Sequence, residues 1–365
     1  MIDCPAPPIN RFRNFHMNFA SDNWAGAHPA IAAALAEHAS GFAPAYGASE
    51  LDRKVERRFS ELFEREVAVY FVATGTAANA LSMTAVARPG GVAFAHREAH
   101  MIEDEGGAPE YLSGGARLCP VDGPLGRIDP AALDRAIRRY PAHFVHAGQP
   151  MAVSITQASE VGTVYGLDDI AAISAVARAH GLPLHMDGAR FANALVSIGC
   201  TPADMTWRSG VDILSFGGTK NGCWCAEALV VLNPELGRDL PFIRKRAAQL
   251  FSKSRFVSAQ FDAYLEGDLW LSSARHANAM ATSLAAAIRS SNRLRLAWQP
   301  DANEVFAIMD ASTKKALHDA GAVFYDWHPP HGFDGHLSAG EVLCRFVTSF
   351  ATTQADIDSM RKAIG

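Results

Sequence analysis

Charge is scarce in this 365-residue chain: Asp, Glu, Lys and Arg make up 19% of it, and the balance is −5 with histidine neutral. No dense basic block appears. That excludes a general binder of nucleic acid or of acidic lipid surfaces, while leaving room for a local cationic pocket. Cysteine is sparse as well. Cys4, Cys119, Cys200, Cys223, Cys225 and Cys344 are scattered and form no C-x-x-C pair. Neither a disulfide framework nor a metal site is expected, and reduced thiols are the default. Cys223 and Cys225 stand too close for an ordinary zinc clamp and read as packing residues. Long hydrophobic runs are missing: charges and glycines interrupt every stretch before the roughly twenty apolar residues that a membrane helix needs. The opening MIDCPAPPINRFR has no apolar core of signal-peptide length, and the expectation is a cytoplasmic protein. Internal repeats and low-complexity linkers are absent too.

What the chain does have is apolar residue, 49% of the total, at a length sufficient for two domains and a large core. Ile31 and Leu35 among alanines predict a short helix over 28–40, and Leu51, Val55, Phe59, Leu62 and Phe63 form a helical stripe over 51–63. Short apolar runs at 67–72, 92–95, 152–156, 182–186, 211–216 and 226–232 predict strands, with helices after 74 and over 167–180. Mostly apolar strands alternating with helices indicate an α/β fold, a parallel or mixed sheet covered on both faces. Beyond 234 helical patterns dominate as far as 291. Strands at 295–298, 304–309, 323–325 and 343–347 then mix with helices at 313–320 and 354–364, which predicts a smaller α+β domain. The expected organisation is an N-terminal arm over 1–20, a large domain over 21–245 and a small domain over 246–365.

In such sheets ligands gather at the carboxyl ends of strands, and three polar stretches fall there. The first is Thr74-Gly75-Thr76-Ala77-Ala78-Asn79, between a strand and a helix. Small residues and the free N–H groups of a helix start suit a phosphate, although a Thr-Gly turn that merely caps the helix has the same look. The second is His185-Met186-Asp187-Gly188-Ala189-Arg190. Asp187 either caps the next helix or serves as the anion that a protonated ring nitrogen requires. Arg190 either pairs with Asp187 or takes a phosphate or carboxylate through both arms of its guanidinium. The third is SFGGTKNG, Ser215 to Gly222, where Lys220 follows a strand inside a glycine-rich turn. Lysine resists burial unless it is paired or used chemically, so the alternatives are a solvated turn and a lysine that forms a Schiff base. The glycines around it read as space for a flat ring.

Together TGTAAN, HMDGAR and SFGGTKNG resemble the fold-type I enzymes dependent on pyridoxal 5′-phosphate, and within them the threonine aldolases. The wording around the lysine is similar to the low-specificity L-threonine aldolases, including those acting on phenylserine. The resemblance covers nearly the whole chain, from Phe19-Ala20-Ser21-Asp22-Asn23 to Arg345-Phe346-Val347-Thr348. It implies a mostly parallel mixed sheet in the large domain, and retro-aldol cleavage of L-β-hydroxy-α-amino acids to glycine and an aldehyde. Another fold-type I activity, β-elimination or transamination, is the alternative. A non-catalytic cofactor-binding protein is the more distant one.

Residue by residue, the resemblance implies that Lys220 holds pyridoxal 5′-phosphate and that Asp187 faces its ring nitrogen. It assigns Gly75, Thr76 and Asn79 to the phosphate and His100 to the face of the ring. Ser21, Arg190 and Arg345 hold the substrate α-carboxylate, with Arg190 counted on the cofactor side as well. A second histidine near the β-hydroxyl is implied, for which His143 and His146 are the candidates. Asp104 joins the catalytic set, with Glu105 as a support. A homotetramer with sites at subunit interfaces is implied too, where Lys253 and Arg255 reach a neighbour's phosphate or else form a solvated basic helix end. The chain departs from the family pattern at Ala20-Ser21-Asp22-Asn23 and at Thr156-Gln157-Ala158-Ser159-Glu160, positions that bear on side-chain and stereochemical preference.

Overall fold

A computed structural model describes residues 17–365; the expected arm lies outside the described residues up to position 16. Seven strands form the larger sheet: β1 (Ala68–Val72), β2 (Gly91–His96), β3 (Arg117–Val121), β4 (Gln149–Thr156), β5 (Leu184–Gly188), β6 (Ile213–Gly217) and β7 (Glu227–Val231). Their spatial order is β1-β7-β6-β5-β4-β2-β3. Strand β7 runs antiparallel to both neighbours, and the remaining pairs are parallel. The sheet is therefore mixed and mostly parallel. Strands β2, β5, β6 and β7 are buried along their whole length, as expected of strands covered by helices on both faces.

Parallel strands put all their carboxyl ends on one edge. β1, β2, β4, β5 and β6 deliver Thr74, His100, Glu160, Asp187 and Lys220 to that edge. The reversed β7 brings its first residue, Glu227, to the same place, paired with Gly217 of β6 and Val72 of β1. Behind this edge an aromatic core locks β6 down. Phe216 is fully buried, with ring centroids of Phe59, Phe191 and Trp270 at 5.1, 5.4 and 5.7 Å.

The smaller sheet is antiparallel, ordered β10-β11-β9-β8, with β8 (Leu294–Leu296), β9 (Glu304–Asp310), β10 (Tyr325–Trp327) and β11 (Glu341–Val347). The helix Leu269–Arg289 connects the two sheets in sequence and buries Leu284 and Ile288 in the second core. The start of the described chain also belongs to this core. Phe19 is buried there, donates its N–H to Val323 O at 2.8 Å, and accepts from Val347 N at 2.8 Å. Residues Ser21 to Asn23 are thereby strung from the small sheet toward the edge of the large one. Strand β3 and the helices Pro130–Arg138 and Phe191–Ile198 were not anticipated from apolar periodicity. β3 sits at the edge of the sheet and carries Arg117 and Pro120, which break its apolar run.

Candidate active site

A cavity of about 270 Å³ opens at the carboxyl edge of the large sheet. Its walls include Gly75, Thr76, Asn79, His100, Asp187 and Lys220, residues drawn from separate segments of sequence. Asn23, Glu105 and Glu227 join them.

Lys220 sits in a single 3₁₀ turn, Thr219–Asn221, directly after β6. The turn is held from below: Asn221 donates to Tyr264 Oη at 2.7 Å and to Trp270 O at 2.8 Å. The glycines around Lys220 have a different use from the one expected. A Cβ on Gly217 would lie 2.4 Å from Ala189 O, and one on Gly218 would lie 2.7 Å from Ala226 O. They let neighbouring backbones approach, whereas the space for a ring comes from the cavity itself. Gly222 closes the turn at φ +119°, a conformation that side chains disfavour.

Thr74 caps the helix Gly75–Ala85, its Oγ1 accepting from Ala77 N at 3.1 Å. Ala78 N is taken by Thr74 O, so the N–H groups of Gly75 and Thr76 are the first-turn donors with no helical acceptor. A helix start with two free N–H groups at the cavity wall suits a phosphate dianion. Gly75 borders open space, since a Cβ there would meet nothing within 4 Å.

Asp187 is buried at the end of β5. Its Oδ1 accepts from Ala189 N at 3.0 Å and its Oδ2 from Asn79 Nδ2 at 2.7 Å. The same Asn79 amide donates to Glu105 Oε1 at 2.8 Å. Asn79 is thus committed to two carboxylates one helical turn past the cap. Expected at the phosphate, it lines the cavity with its amide hydrogens turned to Asp187 and Glu105. Asn79 Oδ1 and Glu105 Oε2 are buried without a hydrogen-bond partner among the described residues.

Glu105 Oε1 also meets His100 Nδ1 at 2.9 Å. This contact is the leading cause that raises the His100 pKa above its ordinary value, against burial, which lowers it. Burial likewise raises the Glu105 carboxyl, with the nearby Asp187 acting in the same direction. The acid beside His100 is therefore Glu105. Asp104, the expected member, is exposed. The helix His100–Glu103 ends at Asp104, and the chain turns through Gly106 and Gly107, at φ 57° and 78°, leaving Glu105 as the acid that points inward. Replacing Glu105 with Gln is expected to lower the His100 pKa. The acid limb of a kcat/KM–pH profile then moves to lower pH, with kcat down roughly ten- to a hundredfold through lost orientation.

His143 and His146 are not brought to the cavity. Both are exposed in the turn that precedes β4. A segment that enters a parallel strand lies at the strand's amino end, across the sheet from the carboxyl edge, and sequence spacing carries no trace of that choice. His100 is the one histidine among the cavity-lining residues. Ser21 caps the turn Asp22–Trp24, its Oγ accepting from Asn23 N at 3.2 Å.

Arg190 is fully enclosed and occupied by the chain's own carboxylates. Nε and Nη2 donate to Asp22 at 2.8 and 3.1 Å, and Nη1 lies 3.2 Å from Glu304 Oε2. Expected as a cofactor and substrate ligand, Arg190 does not line the cavity. A two-armed pair with Asp22 ties the Ser21–Asn23 segment to the end of β5. Arg345 on β11 lies 3.6 Å from Glu304 Oε1, stacks 4.2 Å from the Trp327 ring, and leaves its buried Nε without a partner. Arg255 donates to Gly41 O at 3.3 and 3.4 Å, and Lys253 is exposed.

Two buried acids escaped sequence reading. Glu227 lines the cavity, accepts from Thr219 N at 3.3 Å, and is pushed by burial to a pKa of about 7. Glu304 is completely buried. The available signal was an acid heading an otherwise apolar strand, EALVV and EVFAIMD. Among the described residues no group of three or more His, Cys, Asp or Glu is placed to hold a metal ion, and no helix is long and apolar enough to cross a membrane.

An amine, a buried carboxylate, an imidazole and an open helix start facing one cavity form a donor set that fits pyridoxal 5′-phosphate. Residues 18–312 match the family described as beta-eliminating lyase, and the chain belongs to it. That class is a pyridoxal-phosphate-dependent enzyme, a lyase of fold type I. Within it, the chain is similar to the low-specificity L-threonine aldolase of Pseudomonas aeruginosa, 39% identical over 345 residues that span 94% of this chain and 95% of that one. The enzyme of the same description from Pseudomonas sp. is 38% identical over 93% of this chain and 94% of its own length. The solved threonine aldolase of Leishmania major superposes with a TM-score of 0.86 at 28% identity, covering 95% of this chain and 99% of that one.

Proposed function

We propose that this protein cleaves L-β-hydroxy-α-amino acids, of the threonine, allo-threonine and phenylserine type, to glycine and an aldehyde. The observation that carries the reading is the convergence of Lys220, Asp187 and the His100–Glu105 pair on one cavity. When bound, pyridoxal 5′-phosphate supplies an electron sink for the pair released as the Cα–Cβ bond breaks. Lys220, whose side chain lines the cavity, would hold the cofactor through its amine. Gly75 and Thr76 would take its phosphate, and the Asp187 carboxylate would keep a proton on its ring nitrogen.

His100 lines the same cavity and would face the ring. Its Nδ1 is engaged by Glu105, so Nε2 is the nitrogen left to accept the proton of the substrate β-hydroxyl. The substrate carboxylate goes to Arg345 and Ser21, which turns the Cα–Cβ bond to its reactive orientation. In this division of labour, residues 21–245 hold the cofactor and supply His100 and Ser21 to the substrate, and residues 246–365, on which Phe19 packs, supply Arg345. A cytoplasmic homotetramer is the assembly proposed. Exposed Trp24 and Trp224 flank the cavity segments at Asn23 and Lys220, and apolar surface of this kind suits a second copy.

The test is a substrate panel. Purified protein with pyridoxal 5′-phosphate is given L-threonine, L-allo-threonine and L- and D-phenylserine, and glycine and aldehyde are both measured. Equal amounts of the two products are expected from the L-substrates. The family description also supports β-elimination, which gives ammonia and a keto acid without glycine. Absence of glycine from every substrate would sink the aldolase reading.

A further inference from the structure

Glu304 is a carboxylate in an unusual position. It heads β9, is 0% exposed, and neither oxygen receives a hydrogen bond from the described residues. Its neighbours are ions: Arg190 Nη1 at 3.2 Å on one side and Arg345 Nη1 at 3.6 Å on the other. The charged groups facing it are Arg190 from the end of β5, Arg345 from β11, Glu160 from the loop after β4, and Asp22 from the turn after Ser21. Three acids thus surround two guanidiniums.

The two guanidiniums are not equivalent. Arg190 has a 3% exposed side chain and is already held in two arms by Asp22. Arg345 has a 13% exposed side chain, and its contact to Glu304 is the looser of the two, at 3.6 Å. Arg345 is therefore the cation that a carboxylate from outside can reach. An incoming carboxylate at Arg345 would be the fourth anion against two arginines, in a place with little water to screen it. Like charges that close do not all stay ionised. Asp22 is held below its ordinary pKa: burial raises it, but Arg190, Lys220 and the hydrogen bonds from Arg190 and Asn303 outweigh that. Glu304 has no such hydrogen bonds, and burial lifts it to about 7 despite the two arginines. It is the acid that yields.

We propose that Glu304 is a positioning residue that links binding of the substrate α-carboxylate at Arg345 to uptake of one proton. The proton comes from solvent and converts the Glu304 carboxylate to a neutral carboxyl. Arg345 then exchanges one anionic partner for another, and the net charge of the cluster is unchanged. The proposal rests on the reading of Arg345 as the carboxylate site. Its sign follows from the raised pKa. Below pH 7 Glu304 already carries the proton, so uptake fades. Above pH 7 the proton must be acquired, and carboxylate binding weakens as pH rises.

The probes are 3-hydroxypropanoate and 3-hydroxypropanamide, which share the β-hydroxyl and differ in the carboxylate. Neither titrates around neutral pH. Dissociation constants and proton uptake are measured on the holoenzyme by calorimetry in two buffers of different ionisation enthalpy, for wild type and Glu304→Gln. The acid is expected to take up close to one proton per site near pH 8 in the wild type, with its dissociation constant rising toward tenfold per pH unit. In Glu304→Gln both effects disappear, and the amide shows neither in either protein. Should the variant fail to fold, the wild type still decides: uptake with the acid must fall away as pH drops below about 6. Tight acid binding without proton uptake in the wild type overturns this role for Glu304 alone. Equal binding of acid and amide overturns the carboxylate site and this proposal with it.

Discussion

Lys220→Ala protein is expected to be isolated without covalently held cofactor and to turn over at least ~10³-fold more slowly than wild type. The reason lies in the turn as much as in the amine. Gly217 and Gly218 pack against Ala189 and Ala226, and Asn221 is pinned to Tyr264 and Trp270. The backbone at 220 therefore keeps its place when the side chain is cut, and the loss reports on the amine. Borohydride reduction followed by mass spectrometry of the denatured chain checks this without any assay of turnover. Wild type gains the mass of one cofactor at Lys220, and the variant gains none. A labelled Lys220→Ala chain means that another lysine is the anchor.

Asp187→Asn is expected to lower kcat roughly 10²–10³-fold, the scale of losing a fixed charge at the reacting system. The substitution keeps the shape and removes the anion. Asn79 Nδ2 and Ala189 N both donate to Asp187, so the carboxylate is oriented and its hydrogen bonds are supplied from the protein. A neutral amide in that place cannot hold a proton on a ring nitrogen. The substitution also leaves the Asn79 side chain facing a second amide in place of an anion, and cofactor affinity should weaken alongside kcat. Titration of apoprotein with pyridoxal 5′-phosphate and steady-state kinetics separate the two. Wild-type kcat in Asp187→Asn would remove Asp187 from its role.

Much of this site was legible before any fold was known, for a chemical reason. Lys220, Asp187, Gly75 and Thr76 each sit within a few residues of a strand's carboxyl end. Strand and helix periodicity is local, so the sequence already places these residues on one edge of a mostly parallel sheet. The same local signals outlined the second, smaller sheet. They missed β3, whose arginine and proline disguise an edge strand.

The expected residues that do not line the cavity share another cause. His143 and His146 are near β4 in sequence, but they enter the strand at its far end. Asp104 and Glu105 are adjacent, and a pair of left-handed glycines decides which one turns inward. Arg190 has the right chemistry for a ligand, yet Asp22 and Glu304 claim it, from 168 residues before it and from β9 far beyond it. By itself, then, the sequence determined the class of chemistry, because a lysine, an aspartate and a helix cap at strand ends are short-range facts. Only the tertiary structure decided which acid pairs with His100, which arginine is claimed by Asp22, and what the glycines beside Lys220 are for. Those depend on burial and on charges brought together across the chain, and spacing along a sequence does not encode distance in space.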